Sequence, residues 1–114
     1  MQIRTIAELL DAKILCGELG LDREVNSAFG CDMMSDVLAY VKDQSVLITG
    51  LCNPQVVRTA EMMDMVCIVF VRGKRPSEEA IALAKQKGLV MMTTQHRMFS
   101  ACGLLFSAGL ASGN

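Results

Sequence analysis

Three short segments of this chain, at 46–49, 66–71 and 89–92, are apolar at almost every position. A half-exposed strand alternates apolar and polar residues, whereas an uninterrupted apolar run predicts a strand with both faces buried. The intervening segments are long enough to form helical crossovers, which parallel strands require. The pattern predicts an α/β fold with three layers: an open, mostly parallel sheet with helices on both faces.

Helix start signals fall between these segments. Asn53 followed by Pro54 predicts an N-cap with proline in the first helical position, for a helix that runs to about residue 64. Ser77 predicts the cap of a helix that ends at Lys87. Further helices are predicted after Thr5, from Ser35 through Lys42, and from near Gln95. The last of these is expected to pack Phe99, Cys102 and Phe106 against the sheet.

Two more strands are predicted in the first third of the chain. The first is a brief strand at Lys13–Cys16, and the second spans 24–29 and ends at Gly30. With 114 residues, 52% hydrophobic and 20% charged, the chain has ample material for one core. One domain spanning 1–114 is expected.

Composition also limits the function. A formal net charge of −1 provides no broad basic field, so nucleic-acid binding is not expected. Apolar stretches are interrupted by residues such as Asp64 and Arg72 before the about 18 apolar positions that a membrane span needs. The N-terminus lacks the pattern of a secretory signal. A cytoplasmic protein without a membrane partner is expected.

The five cysteines, at 16, 31, 52, 67 and 102, are spaced too widely for a Cys-x-x-Cys metal site. Their odd number also disfavours a disulfide framework. We expect reduced packing thiols, no bound metal and no cofactor. Cys31 and Cys52 fall in predicted loops, and a redox role for either thiol stays open.

Candidate binding residues follow the predicted strands, because open parallel sheets bind ligands beyond the carboxyl ends of their strands. These loops offer hydroxyls and amides for hydrogen bonds, glycines for close backbone approach, and cations for an anion. The alternative is that these loops are ordinary turns and helix caps without a ligand. The candidates are Asp32, Thr49, Gly50, Asn53, Arg72, Gly73, Arg75, Thr93 and Thr94.

No catalytic residues are predicted. His96 is the only histidine, and it lacks a neighbouring cluster that would make it a metal ligand or a base. Asp32 and Asp36 lie around a helix start, where carboxylates favour the positive end of the dipole. Gly73 between Arg72 and Lys74 resembles half of a phosphate loop but lacks the full Gly-x-x-x-x-Gly-Lys-Ser/Thr spacing.

The order of these pieces resembles the DRTGG domain family. The pieces are GLDREV at 20–25, DMMSDVL at 32–38, LITG at 47–50, Asn53-Pro54, the strand at 68–71 running into Gly73 and Arg75-Pro76, and 90–94. The Asp-Arg-Thr-Gly-Gly string that names the family is absent, and Gly50-Leu51-Cys52-Asn53 stands after the third strand instead.

This resemblance implies a fold similar to the N-terminal domain of HPr kinase/phosphorylase, homodimerisation and a non-catalytic regulatory role. It also implies a ligand, with an adenine nucleotide as one candidate. Stand-alone members of the family are encoded near iron-only hydrogenases, so a redox-enzyme partner is a further expectation. The alternatives are a small phosphotransfer-related enzyme component and a purely structural dimerisation domain.

Overall fold

The computed structural model describes residues 1–41 and 44–112. Its five strands are β1 (Lys13–Cys16), β2 (Ser27–Gly30), β3 (Ser45–Thr49), β4 (Cys67–Phe70) and β5 (Val90–Thr93). Its α-helices are α1 (Ile3–Leu9), α2 (Met34–Tyr40), α3 (Pro54–Met62), α4 (Glu78–Lys87) and α5 (Met98–Ser107). A 3-10 helix spans Glu18–Gly20.

The strands form one sheet in the order β1-β5-β4-β3-β2. β2 to β5 are parallel to one another, and β1 pairs antiparallel with β5 at one edge. β3, β4 and β5 correspond to the three apolar runs, and β3 and β4 are buried at every position. The predicted α/β class with a mostly parallel sheet is confirmed.

Alternate side chains of the central strands pack against different helices. Ile48, Val69 and Met92 belong to a core that also contains residues of α1 and α5. Leu47 and Phe70 belong to a second core with residues of α2, α3 and α4. The uninterrupted apolar pattern follows from this arrangement, because neither face of the sheet meets water.

Two of the predicted helix caps are confirmed. The Asn53 side chain accepts a hydrogen bond of 3.0 Å from the Gln55 N–H, and Pro54 is the first residue of α3. The Ser77 hydroxyl accepts a hydrogen bond of 3.1 Å from the Ala80 N–H at the start of α4. In both cases a short polar side chain satisfies an N–H that has no partner within its helix.

Other predicted boundaries are wrong. α1 begins at Ile3, so Thr5 lies inside the helix and does not cap it. α2 begins one residue before Ser35, with Met33 at its N-cap position and no side-chain cap. β2 begins at Ser27, three residues later than predicted, and α5 begins three residues after Gln95. The predicted end of α2, at Lys42, lies outside the described residues.

The predicted packing face of α5 is also wrong in part. Ala101 and Leu105 are buried against the sheet, and Cys102 is partly buried beside them. Phe99 and Phe106 point outward, with 90% and 73% of their surface exposed. Because α5 carries apolar residues around most of its circumference, apolar spacing did not identify the side that faces the core.

Candidate functional site

The parallel strands end together at one edge of the sheet. In the register of the sheet Gly30 is paired with Ile48, Thr49 with Phe70, and Phe70 with Thr93. The loops that begin at residues 31, 50, 71 and 94 are therefore brought to the same edge. This placement brings most of the candidate binding residues together, because the carboxyl ends of parallel strands lie at the same edge of the sheet.

The centre of this edge is the Asp32 carboxylate. Its Oδ1 accepts hydrogen bonds from the Thr49 hydroxyl at 2.9 Å and from the Gly50 N–H at 2.8 Å. The Thr49 oxygen in turn accepts a hydrogen bond of 3.1 Å from the Leu51 N–H. Within the described residues, Oδ2 of Asp32 accepts no hydrogen bond. One carboxylate oxygen therefore holds two loops together, and the other is available to a ligand.

Asp32 is held in its charged form. The pKa of its carboxyl is lowered mainly by the hydrogen bond from the Gly50 N–H, which stabilises the carboxylate. The Thr49 hydroxyl and the nearby charges of Arg72 and Lys74 lower the pKa further, while partial burial opposes them. The site thus presents a carboxylate next to two cations at neutral pH.

Arg72 covers Gly50 from the neighbouring loop. A Cβ atom at Gly50 would lie 2.6 Å from Nη2 of Arg72, so the guanidinium passes directly over this glycine. A side chain at position 50 would require the guanidinium to move away. In the part of the chain that the structure describes, the guanidinium itself forms no hydrogen bond and no ion pair. It is an exposed cation next to a carboxylate that is already partly satisfied.

The backbone amides of this loop are already used. The Arg72 N–H donates to the His96 carbonyl at 2.8 Å, the Gly73 N–H to the Thr94 carbonyl at 2.7 Å, and the Lys74 N–H to the Val71 carbonyl at 3.1 Å. A phosphate loop binds its anion with such N–H groups. Gly73 therefore does not form half of a phosphate loop, and an anion would be bound here by side chains.

Gly73 is required for a different reason. Its φ is +66°, and a Cβ atom there would lie 2.8 Å from both the Nε2 and the Oε1 of Gln95. The side chain of Thr93 also supports this loop, since its hydroxyl donates a hydrogen bond of 2.6 Å to the Lys74 carbonyl. Gln95 was not among the candidates from the sequence, because its position beside Gly73 depends on how the two loops pair.

Arg75 is less available than predicted. Its guanidinium lies 3.4 Å from the Glu78 carboxylate, with which it forms an exposed ion pair. The N-terminus of α4 beyond it is capped by Ser77 and carries Glu78 and Glu79 in its first turn. Acidic residues there already complement the helix dipole, so this helix end does not attract a further anion. Among the described residues of this loop, the cations without an ion pair are Arg72 and Lys74.

Two other candidates hold structure in place. The side chain of Asn53 caps α3, as described above. Thr94 is 2% exposed, and its hydroxyl donates a hydrogen bond of 2.7 Å to the Leu10 carbonyl. The Thr94 hydroxyl oxygen also accepts a hydrogen bond from the His96 N–H at 3.3 Å. Both residues contribute to the edge by fixing the loops, and the Thr94 side chain does not reach its surface.

One thiol at this edge is that of Cys52, which donates to the Gly50 carbonyl at 3.5 Å. Burial raises its pKa, although the charges of Lys74 and Arg72 partly oppose this effect. It is therefore a protonated thiol at neutral pH and a poor nucleophile. All five cysteines are free. Among the described residues, no group of three or more His, Cys, Asp or Glu side chains is placed to hold a metal ion.

Comparison with known proteins places this geometry in context. Residues 5–108 match the DRTGG domain family. No curated protein matches the chain. In residues 1–41 and 44–112, no helix is both long and apolar enough to cross a membrane.

Solved structures with a similar fold exist. One of them is the CBS and DRTGG domains of the regulatory region of Clostridium perfringens pyrophosphatase, complexed with its activator diadenosine tetraphosphate. The TM-score is 0.72 at 18% sequence identity, over 98% of this chain and 48% of that one. This chain therefore spans about half the length of that solved chain.

Proposed function

We propose that this chain, which belongs to the DRTGG domain family, is a regulatory module that senses an anionic ligand and catalyses no reaction of its own. The first candidate ligand is an adenine nucleotide. Its phosphates would contact Arg72 and Lys74 at the carboxyl edge of the sheet. Asp32, Thr49, Gly50 and Gly73 form the rest of the site.

The observation that carries this proposal is the position of the Arg72 guanidinium over Gly50, beside a carboxylate with one free oxygen. A guanidinium forms charge-assisted and often bidentate hydrogen bonds to phosphate. The free Oδ2 of Asp32 can accept a hydrogen bond from a sugar hydroxyl, as acidic residues do in other open α/β folds that bind nucleotides. The edge therefore offers complementary contacts to the phosphates and to the sugar of a nucleotide.

The similar solved structure supports the choice of ligand. The Clostridium perfringens regulatory region, which contains a DRTGG domain, binds an activator made of two adenosines joined by four phosphates. The likeness between the two chains is one of fold. An adenine nucleotide is therefore our proposal for this chain. Adenine nucleotides are tested first, with inorganic phosphate as the control.

We favour a binding role over a phosphotransfer-related enzyme, because the Thr49 hydroxyl at this edge is fully buried and already donates to the Asp32 carboxylate. Phosphoryl transfer requires a nucleophile or a positioned base next to the bound phosphate. Burial keeps the Cys52 thiol at this edge protonated.

The oligomer and the protein partner complete the proposal. We expect a homodimer, because the family resemblance implies one and because 52% hydrophobic residues is a large share for a chain of 114 residues. A redox enzyme such as an iron-only hydrogenase is the partner that the family resemblance suggests. A pull-down with the purified chain from cells that express such an enzyme, with and without nucleotide, tests this association separately.

A thermal-shift experiment tests the ligand. A ligand present at 100 times its Kd stabilises the native state by about 2.7 kcal/mol, so melting should shift upward by several degrees. ATP, ADP, AMP and diadenosine tetraphosphate are compared with inorganic phosphate, and the recovered nucleotides are analysed for hydrolysis. A shift with intact nucleotide supports the proposal. No shift with any nucleotide at millimolar concentration, or turnover of one, contradicts it.

A further inference from the structure

Outside the site, α5 presents an apolar face to solvent. Phe99 and Phe106 are seven residues apart and lie on the same side of the helix, with 90% and 73% of their surface exposed. Gly103 lies between them on this side, and Cys102 is partly buried at its margin. Together with Ala28 and Leu110, these residues border an apolar groove of about 310 Å³ beside β2. We call this the α5 face.

Among the described residues, none requires a glycine at position 103. A Cβ atom there would meet nothing within 4 Å in the part of the chain that the structure describes. Glycine is also among the poorest residues for the interior of a helix. A glycine in the middle of an exposed helix is explained if another backbone approaches it closely, since the missing side chain lets two helices come together.

We propose that the α5 face is the surface through which two copies of this chain associate, with their α5 helices crossing antiparallel at Gly103. This inference rests on the homodimer in the proposed function and names its surface. Around a twofold axis at Gly103, Phe99 of each copy would pack against Phe106 of the other. Such an exchange is what an isologous interface requires, since residue i contacts j and j contacts i.

The charge of the helix favours a second copy over a different protein. No residue of α5, from Met98 to Ser107, is charged. Two identical faces with charged centres would repel each other, whereas two uncharged ones do not. A dissimilar partner with polar or charged contacts would find little to pair with on this helix.

The area is also sufficient for the centre of an interface. If a fully exposed phenylalanine presents about 200 Å², the two rings expose roughly 300 Å² in each copy. A standard interface buries about 800 Å² from each partner and has an apolar, aromatic centre with a polar rim. Leu104, which is 37% exposed, and the serines of α5 would add to this contact. A Kd in the micromolar range is expected for a contact of this size.

Sedimentation equilibrium from about 1 to 100 µM tests the surface, because this range brackets a micromolar Kd. Phe99→Ser combined with Phe106→Ser should weaken dimerisation at least about tenfold. Leu19→Ser is the matched control, since Leu19 is fully exposed on the 3-10 helix and far from α5 in sequence. It should leave the dimer unchanged.

Gly103→Leu separates folding from association. The side chain enters open space in the single chain and favours helix, so the melting temperature of a dilute sample should be retained or raised. At the crossing point it should weaken dimerisation about tenfold or more, because two leucines would hold the helices apart. If the parent is a dimer and both the double variant and Gly103→Leu remain dimers, the surface is wrong while the homodimer stands. If the parent is a monomer throughout, the homodimer and the surface are both wrong.

Discussion

Asp32 lies just after β2, Thr49 is the last residue of the neighbouring parallel strand β3, and the Thr49 hydroxyl donates a hydrogen bond of 2.9 Å to the Asp32 carboxylate. Thr49 is fully buried, whereas Asp32 is exposed to solvent. The bond therefore ties an exposed carboxylate to the core of the sheet. It fixes the charge of Asp32 next to Arg72, which is the arrangement on which the proposed site depends.

Removing this carboxylate should destabilise the chain. We expect Asp32→Ala to lower the free energy of unfolding by about 1–2 kcal/mol, since the Gly50 N–H and the Thr49 hydroxyl both lose their acceptor. Asp22→Ala is the control, because it removes only an exposed ion pair with Arg4, worth about 0–1 kcal/mol. Urea denaturation measures both variants. Equal losses would show that the Asp32 hydrogen bonds add no stability.

The stability provided by Asp32 should depend on pH. Its folded pKa is lowered below the unfolded value of 3.8, so its contribution is complete above that value and is lost as the pH falls through the folded pKa. The advantage of the parent over Asp32→Asn should be constant between about pH 5 and 7 and should decrease below about pH 4. Denaturation of both proteins across this pH range measures the difference between their free energies of unfolding. An advantage that persists unchanged to pH 2 would contradict the lowered pKa.

Thr94 should matter for stability alone. Thr94→Val removes the buried hydrogen bond to the Leu10 carbonyl, which should cost about 1–2 kcal/mol without changing nucleotide affinity. Thr93→Val is the neighbouring control, since the Thr93 hydroxyl supports the Lys74 carbonyl in the cation loop. It should weaken nucleotide binding more than Thr94→Val does. Calorimetric titration of both variants with ATP provides the comparison, and the reverse order would place Thr94 in the site.

Much of the fold follows from the sequence because its strongest signals are local and physical. Apolar runs without alternation identified β3, β4 and β5, and short polar side chains before Pro54 and Glu78 identified two helix starts. The face of α5 could not be predicted in the same way. Its exposed phenylalanines satisfy apolar spacing as well as its buried residues do, and only the packing of Ala101 and Leu105 distinguishes them.

The site was predictable to the level of its loops, since parallel strands bring them to one edge. Which side chains in those loops remain available was not predictable. Arg72 and Arg75 look equivalent in the sequence, yet Arg75 pairs with Glu78, whereas Arg72 lies over Gly50. Thr93 and Thr94 are neighbours, yet only Thr94 is buried, and its hydroxyl bonds to the Leu10 carbonyl. These differences depend on the direction of each side chain, which spacing does not determine.

The two glycines with similar left-handed backbones should separate strain from function. Gly73→Ala and Gly88→Ala, with φ of +66° and +73°, should each cost about 1–2 kcal/mol of stability. A Cβ at Gly88 meets nothing within 4 Å, whereas one at Gly73 meets the end of the flexible Gln95 side chain. Only Gly73→Ala should therefore move Gln95 and weaken nucleotide binding. Equal affinities in the two variants would remove Gly73 from the site.

The measurement that tests the proposed site most directly is calorimetric titration of ATP into the parent and into the single variants Arg72→Ala and Arg75→Ala. We predict that Arg72→Ala raises the Kd about tenfold or more, because a charge-assisted contact to phosphate is worth at least about 1.4 kcal/mol. Arg75→Ala should stay within about twofold of the parent, since its guanidinium is paired with Glu78. An Arg72→Ala variant that binds ATP as tightly as the parent would contradict the assignment of this edge as the nucleotide site.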